Sequence, residues 1–171
     1  MTVLLLAGCG GGNVNSYTQK LAGNWANTYD ENVVDVVFRR NATAVYEGRE
    51  CTFTADEQYI TLTGDDGRET RLRYAFEGKT LYLYKEAKYS CTDHDGIVGL
   101  WTGDNGKWSY EFTENGTFKE DGYFPGYYTV DESAGTFKLI YNDHFEDTVC
   151  YFTIDGDVLT VDYPWPMVKV K

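Results

Sequence analysis

Apolar and polar residues alternate along much of the chain. In "KWSYEF" (107–112), Trp108, Tyr110 and Phe112 fall on one side, and Lys107, Ser109 and Glu111 on the other. A period of two marks a strand with one buried face. Val34, Val36 and Phe38 make an earlier stripe of the same kind. The pattern predicts further strands around 42–47, 50–55, 58–63, 69–77 and 80–85, then 116–123, 126–131, 135–142, 147–154 and 158–163. Asp66-Gly67, Asn105-Gly106, Asn115-Gly116 and Asp155-Gly156 separate them. These dipeptides tolerate positive φ at both central positions of a tight hairpin turn, so neighbouring strands should run antiparallel. Helical spacing is confined to 16–22, enough for one turn at most. The expected fold is all-β.

Three blocks recur in the same order. "LAGNW" (21–25) aligns with "IVGLW" (97–101), "FRRNATAVYEG" (38–48) with "FTENGTFKEDG" (112–122), and "YAFEGKTLYL" (74–83) with "FTIDGDVLTV" (152–161). Their offsets are 76, 74 and 78 residues, the mark of an internal repeat. Copy 1 is expected at 21–85, a linker at 86–96 and copy 2 at 97–171. Each copy is a β-meander small enough to have a thin core. The pair should form two small barrels or one shared barrel or sandwich. Trp25, Phe38 and Leu81 are expected inside copy 1, and Trp101, Trp108, Tyr110, Phe112 and Phe137 inside copy 2.

The first residues, "MTVLLLAGC", have the apolar centre and small-residue end of an export signal. Leu6-Ala7-Gly8-Cys9 resembles the lipobox of bacterial lipoproteins. That resemblance implies a cut before Cys9, a lipid on Cys9 and an extracytoplasmic, membrane-anchored protein. Residues 1–8 are then a signal remnant and 9–20 a lipidated tether rich in Gly and Asn. No basic residue precedes the apolar run, so the start of the signal is expected upstream of Met1.

Gly99-x-Trp101, Phe112-x-x-Asn115-Gly116-Thr117 and Asp155-Gly156-x-x-Leu159 together are similar to the lipocalin-like repeats of bacterial lipoproteins. Copy 1 departs from that pattern at Ala42 and Glu77. Many such families have no assigned function. The resemblance implies that Trp25 and Trp101 plug the ends of barrels rather than bind ligands.

Composition narrows the function. Aromatic residues are 16% of the chain, which suits half-buried strands. The formal charge is −12. Residues 21–85 carry 8 basic and 11 acidic side chains, and 97–163 carry 3 and 13. Such a charge repels nucleic acid and anionic headgroups, leaving the lipid anchor as the expected membrane contact. Cys51 and Cys150 read as small buried residues, with a bridge from Cys91 to either as the alternative. His94 and His144, the two histidines, fall in polar loops and should be solvated. Asp93-x-Asp95-Gly96 reads as a turn, since no EF-hand pattern follows. There is no Gly-x-Ser-x-Gly and no paired-cysteine metal motif. No catalytic residue, metal site or cofactor is therefore expected.

One cluster distinguishes copy 2. "DGYFPGYY" carries Tyr123, Phe124 and Tyr127, and "DYPWPM" carries Trp165 between prolines. Exposed aromatic faces bind sugar rings, small molecules or proteins. Trp108, Tyr110, Tyr123, Phe124, Tyr127 and Trp165 are the candidate ligand contacts. The expected function is a non-enzymatic cell-surface binding module for a small molecule, glycan or protein. The alternative is a structural or inhibitory envelope lipoprotein working by protein contact.

Overall fold

The computed structural model describes residues 14–103, 106–143 and 145–171. The signal remnant 1–8, Cys9 and the head of the tether lie outside the described residues, as does His144. The chain is antiparallel β, as the alternation predicts. A helix, α1 (Ser16–Leu21), precedes β1 (Gly23–Asn27), β2 (Val34–Phe38), β3 (Thr43–Tyr46), β4 (Arg49–Ala55), β5 (Tyr59–Thr63), β6 (Glu69–Glu77) and β7 (Thr80–Ser90). Then come β8 (Gly99–Gly103), β9 (Ser109–Phe112), β10 (Thr117–Glu120), β11 (Phe124–Asp131), β12 (Thr136–Tyr141), β13 (Thr148–Asp155) and β14 (Val158–Val170). Each strand pairs with the next, and β14 also pairs with β1.

Two compact units divide the chain. Unit 1 takes the described residues up to Leu83 together with Pro166–Lys171, and unit 2 takes Tyr84–Trp165. Each has its own apolar core. Leu21, Trp25, Phe38, Phe53, Ile60 and Leu81 are among the buried residues of unit 1. Unit 2 buries Trp101, Tyr110, Phe112, Phe137, Leu139 and Leu159. Phe112 packs edge to face with Tyr128 at 4.8 Å and with Phe137 at 5.5 Å, the arrangement their quadrupoles favour.

The aligned blocks share local geometry. Trp25 Nε1 donates to the Leu21 carbonyl at 2.7 Å, and Trp101 Nε1 donates to the Ile97 carbonyl at 2.7 Å. Each bond satisfies a buried indole N–H that would otherwise cost free energy. Asn41 Oδ1 accepts from Thr43 Oγ1 at 2.8 Å, and Asn115 Oδ1 from Thr117 Oγ1 at 2.9 Å. Asn41-x-Thr43 and Asn115-x-Thr117 are thus turn chemistry. Between those residues Ala42 has φ 61° and Gly116 φ 79°.

Several expectations change. The helix is longer than one turn because Asn15 closes a capping box: its Oδ1 accepts from the Thr18 N–H, and Thr18 Oγ1 accepts from the Asn15 N–H, each at 2.9 Å. Thr18 and Leu21 are buried, so residues 16–20 belong to the folded unit rather than to a free tether. The expected linker at 86–96 begins as strand, because β7 runs on to Ser90 and pairs there with β8. Likewise β14 continues past 163 through Pro164 and Pro166. Its β13 ladder ends at Asp162 and its β1 ladder begins at Met167, so both prolines fall between these two ladders.

Trp108 is not in the core. It is 60% exposed. The Asp121 carboxylate accepts the Ser109 N–H at 2.7 Å, and pairing with β8 starts at Ser109. Trp108 therefore sits in the connection rather than in the strand. His94 is also unlike its expectation: its ring lies 4.6 Å from Trp101, and its side chain is largely covered.

Candidate functional site

The outer face of β9–β11 in unit 2 holds a groove. Alternation sends Tyr110 and Phe112, Phe118 and Glu120, and Gly126 inward. Glu111, Lys119, Pro125 and Tyr127 are left outside, and Glu111, Lys119 and Pro125 form one cross-strand row. Gly126 lets β11 approach its neighbours closely. A Cβ built there falls against the carbonyl oxygen of Ile140 and 2.5 Å from the Phe118 ring. Over this stretch lies a shallow groove of about 230 Å³ lined by Tyr127, Pro125, Lys119, Glu111, Thr117 and Asn142, among others. Its walls join a phenol ring and a proline face to an amine, a carboxylate and an amide. Lys119 Nζ stands 3.9 Å from Glu111 Oε2, a long and exposed ion pair.

The six expected contacts are dispersed. Tyr127 is 56% exposed and lines the groove. Tyr123 is 83% exposed, just after the Asp121-Gly122 turn, whose φ values are 51° and 73°. Phe124 is exposed and meets Phe145 at 5.1 Å. Trp165 is at the edge of exposure at 37%, 6.4 Å from Tyr163 and 4.8 Å from Lys85 Nζ. Trp108 is exposed, and Tyr110 is 2% exposed within the core. Among the described ring contacts, none joins two of these six residues.

Tyr110 instead belongs to a buried polar cluster. Its hydroxyl donates to Glu120 Oε1 at 3.0 Å, and Tyr141 Oη donates to Glu120 Oε2 at 2.5 Å. Tyr89 hydrogen-bonds Tyr110, and burial pushes its phenol up to about 12. Burial raises the Glu120 carboxyl above the usual range, although both phenols favour its charged form. The sequence signal was present: Glu120 lies two residues from Phe118, on the inward side of β10. The aligned position in unit 1 is Tyr46, whose phenol is pushed up to about 12, chiefly by burial.

This acid gives unit 2 a pH dependence. With its folded pKa raised, Glu120 keeps its proton to higher pH than in the unfolded chain. Its contribution to stability is complete below the ordinary value of 4.5 and declines as pH rises through the raised value. Glu120→Gln removes that titration. The difference in melting temperature, variant minus parent, is expected to grow as pH rises through this window. A constant difference would show that Glu120 does not titrate abnormally.

The remaining candidates supply little chemistry. Cys51, Cys91 and Cys150 are all free thiols. Burial pushes the Cys150 thiol well above its ordinary value and that of Cys51 upward, which suppresses thiolate reactivity. The ring nitrogens of His94 face the Gly96 carbonyl at 3.0 Å and the Gly156 carbonyl at 3.2 Å. Asp95 and Val98 exchange backbone hydrogen bonds around a turn at Gly96 and Ile97, so of the Asp93–Gly96 segment only its end enters a turn. Among the described residues, no group of three or more His, Cys, Asp or Glu could hold a metal ion, and no helix is long and apolar enough to cross a membrane.

No protein-family model matches this chain, and neither a curated protein nor a solved structure is significantly similar to it.

Proposed function

We propose that the chain is an extracytoplasmic lipoprotein of two tandem lipocalin-like repeats, anchored through Cys9, that binds a glycan without catalysing a reaction. The lipobox-like Leu6-Ala7-Gly8-Cys9 and the recurring Gly-x-Trp carry the class. The β9–β11 groove carries the function. It sets the Tyr127 ring and Pro125 beside Lys119, Glu111 and Asn142. A sugar offers the matching surfaces: a C–H face for the ring and hydroxyls for amine, carboxylate and amide. A ligand inside unit 2 has less support, because Tyr110 is packed against Phe112 and Phe137.

A glycan array followed by titration calorimetry with the best sugar tests this reading. Tyr127→Ala is expected to weaken binding at least about tenfold, the loss of one good contact, with the circular dichroism spectrum unchanged. No sugar bound by the parent, or equal binding by Tyr127→Ala, would reject the groove. The second reading, protein contact alone, draws on the exposed neighbours Tyr123 and Phe124 and on exposed Phe145, whose ring lies 5.1 Å from that of Phe124. It predicts that Phe124→Ser, not Tyr127→Ala, abolishes the partner interaction.

A further inference from the structure

The chain-wide charge of −12 is unevenly divided. Unit 2 has five basic and sixteen acidic residues, and unit 1 has ten and eleven. Within unit 1 the charges are also separated. Antiparallel alternation puts the turns at 28–33, 47–48 and 64–68 at one end, and those at 39–42, 56–58 and 78–79 at the other. The first set carries Asp30, Glu31, Glu47, Asp65 and Asp66 against Arg68 alone. The second end carries Arg39, Arg40 and Lys79, and α1 adds Lys20. Arg71 and Arg73 reach towards this end from β6, their guanidinium carbons 3.6 and 4.9 Å from the Tyr59 ring centre. Asp56, Glu57 and Glu77 oppose these cations. Arg39 is held by Glu50 at 2.7 Å, which leaves a surplus of exposed positive charge.

The basic end is also where the chain enters. Asn15 Nδ2 donates to the Ala55 carbonyl at 2.7 Å, fixing the start of α1 beside the 56–58 turn. Exposed Val14 and Tyr17 lie in the same segment. Cys9 precedes Asn15 by six residues, a span of at most about 20 Å when extended.

We propose that this end of unit 1 is a docking face for an anionic phospholipid surface. The inference rests on the lipoprotein reading for its placement: a lipid on Cys9 would hold this end within reach of headgroups. The charge pattern supplies the contact. Each Lys or Arg near an anionic leaflet adds an attraction that fades over a Debye length of about 8 Å. Lys20, Arg40, Arg71 and Lys79 are the exposed cations that meet the headgroups. Tyr17 adds a ring of the kind that settles at a membrane interface. The acidic turns stand at the opposite end of the unit, away from the surface.

The test uses full-length Cys9→Ala protein, which carries no lipid on that residue. It is floated with vesicles of phosphatidylcholine alone or mixed equally with phosphatidylglycerol. At low salt, binding to the mixed vesicles is expected to exceed that to neutral ones at least about fivefold, and to disappear near 1 M salt, where the Debye length is about 3 Å. Replacing Lys20, Arg40, Arg71 and Lys79 together by Gln should remove the preference. Asp65→Asn with Asp66→Asn at the far end should keep it. Equal binding to both vesicles, or a preference that survives the four substitutions, overturns the proposal, as does competition by free phosphate at millimolar concentration. Fatty-acid labelling of the parent, lost in Cys9→Ala, tests the lipoprotein reading separately. Labelled protein without vesicle preference sinks only the docking face. Vesicle preference without label sinks only the anchor and leaves the face standing.

Discussion

Trp101→Ala is expected to lower stability by about 3–5 kcal/mol, the usual cost of removing a large buried aromatic side chain. The residue is fully buried, and three independent interactions converge on it. Its indole N–H donates to the Ile97 carbonyl, its ring lies 4.6 Å from His94, and it pairs with Tyr110 across the strands. Trp101→Phe separates the terms. It retains most of the apolar contact but removes the donor to Ile97, a loss of about 1–3 kcal/mol. Chemical denaturation of parent and both variants measures the two differences. If Phe is as costly as Ala, the hydrogen bond to Ile97 rather than ring volume is what matters at this site. A cost below about 1 kcal/mol for Ala would show that the core closes over the gap.

This tryptophan also shows why much of the fold was readable. Gly-x-Trp, Asn-x-Thr and the acid-Gly hairpin turns are local signals, each satisfied by bonds within a few residues. Strand positions were readable for the same reason: alternation is written in neighbouring side chains. The lengths of β7 and β14 were not. They depend on ladders with partners far along the chain, and two prolines in β14 argued locally for a stop. Trp108 failed similarly. It fits the stripe of Tyr110 and Phe112, but the bond that Ser109 N–H donates to Asp121, twelve residues on, marks where β9 begins.

The candidate site was legible only in part. Tyr127 was marked by the aromatic run around Pro125-Gly126, whereas Lys119, Glu111 and Asn142 join it through strand register. Tyr110 carried the same aromatic signal yet turned inward, onto Glu120. Charge misled in a different way. A total of −12 averages over a nearly balanced unit and a strongly acidic one, and hides the basic end that antiparallel alternation gathers from α1 and distant turns.

Gly126→Ala carries the other large expected effect, and it joins the fold to the groove. Gly126 is not one of the glycines with positive φ, so alanine meets no backbone penalty there. The obstacle is space. The new methyl would press on the Ile140 carbonyl oxygen and sit 2.5 Å from Cε1 of Phe118. Phe118 has little room to yield, being buried with its ring 5.2 Å from Tyr141 and 6.3 Å from Phe112. The carbonyl belongs to backbone opposite Tyr127 in the β11–β12 ladder. Overpacking of a tight core costs about 1–3 kcal/mol, and a backbone clash puts this variant at or above the upper end. Gly116→Ala is the matched control. There φ is 79°, the nearest atom to a built Cβ is 3.9 Å away, and unit 1 already holds Ala42 at the aligned position. Its cost should be only that of a left-handed alanine, about 1–2 kcal/mol. Denaturation curves should therefore rank Gly126→Ala well below Gly116→Ala in stability. The reverse ranking would mean that β11 can move off β12, and a strand that moves cannot hold Tyr127 over a preformed groove.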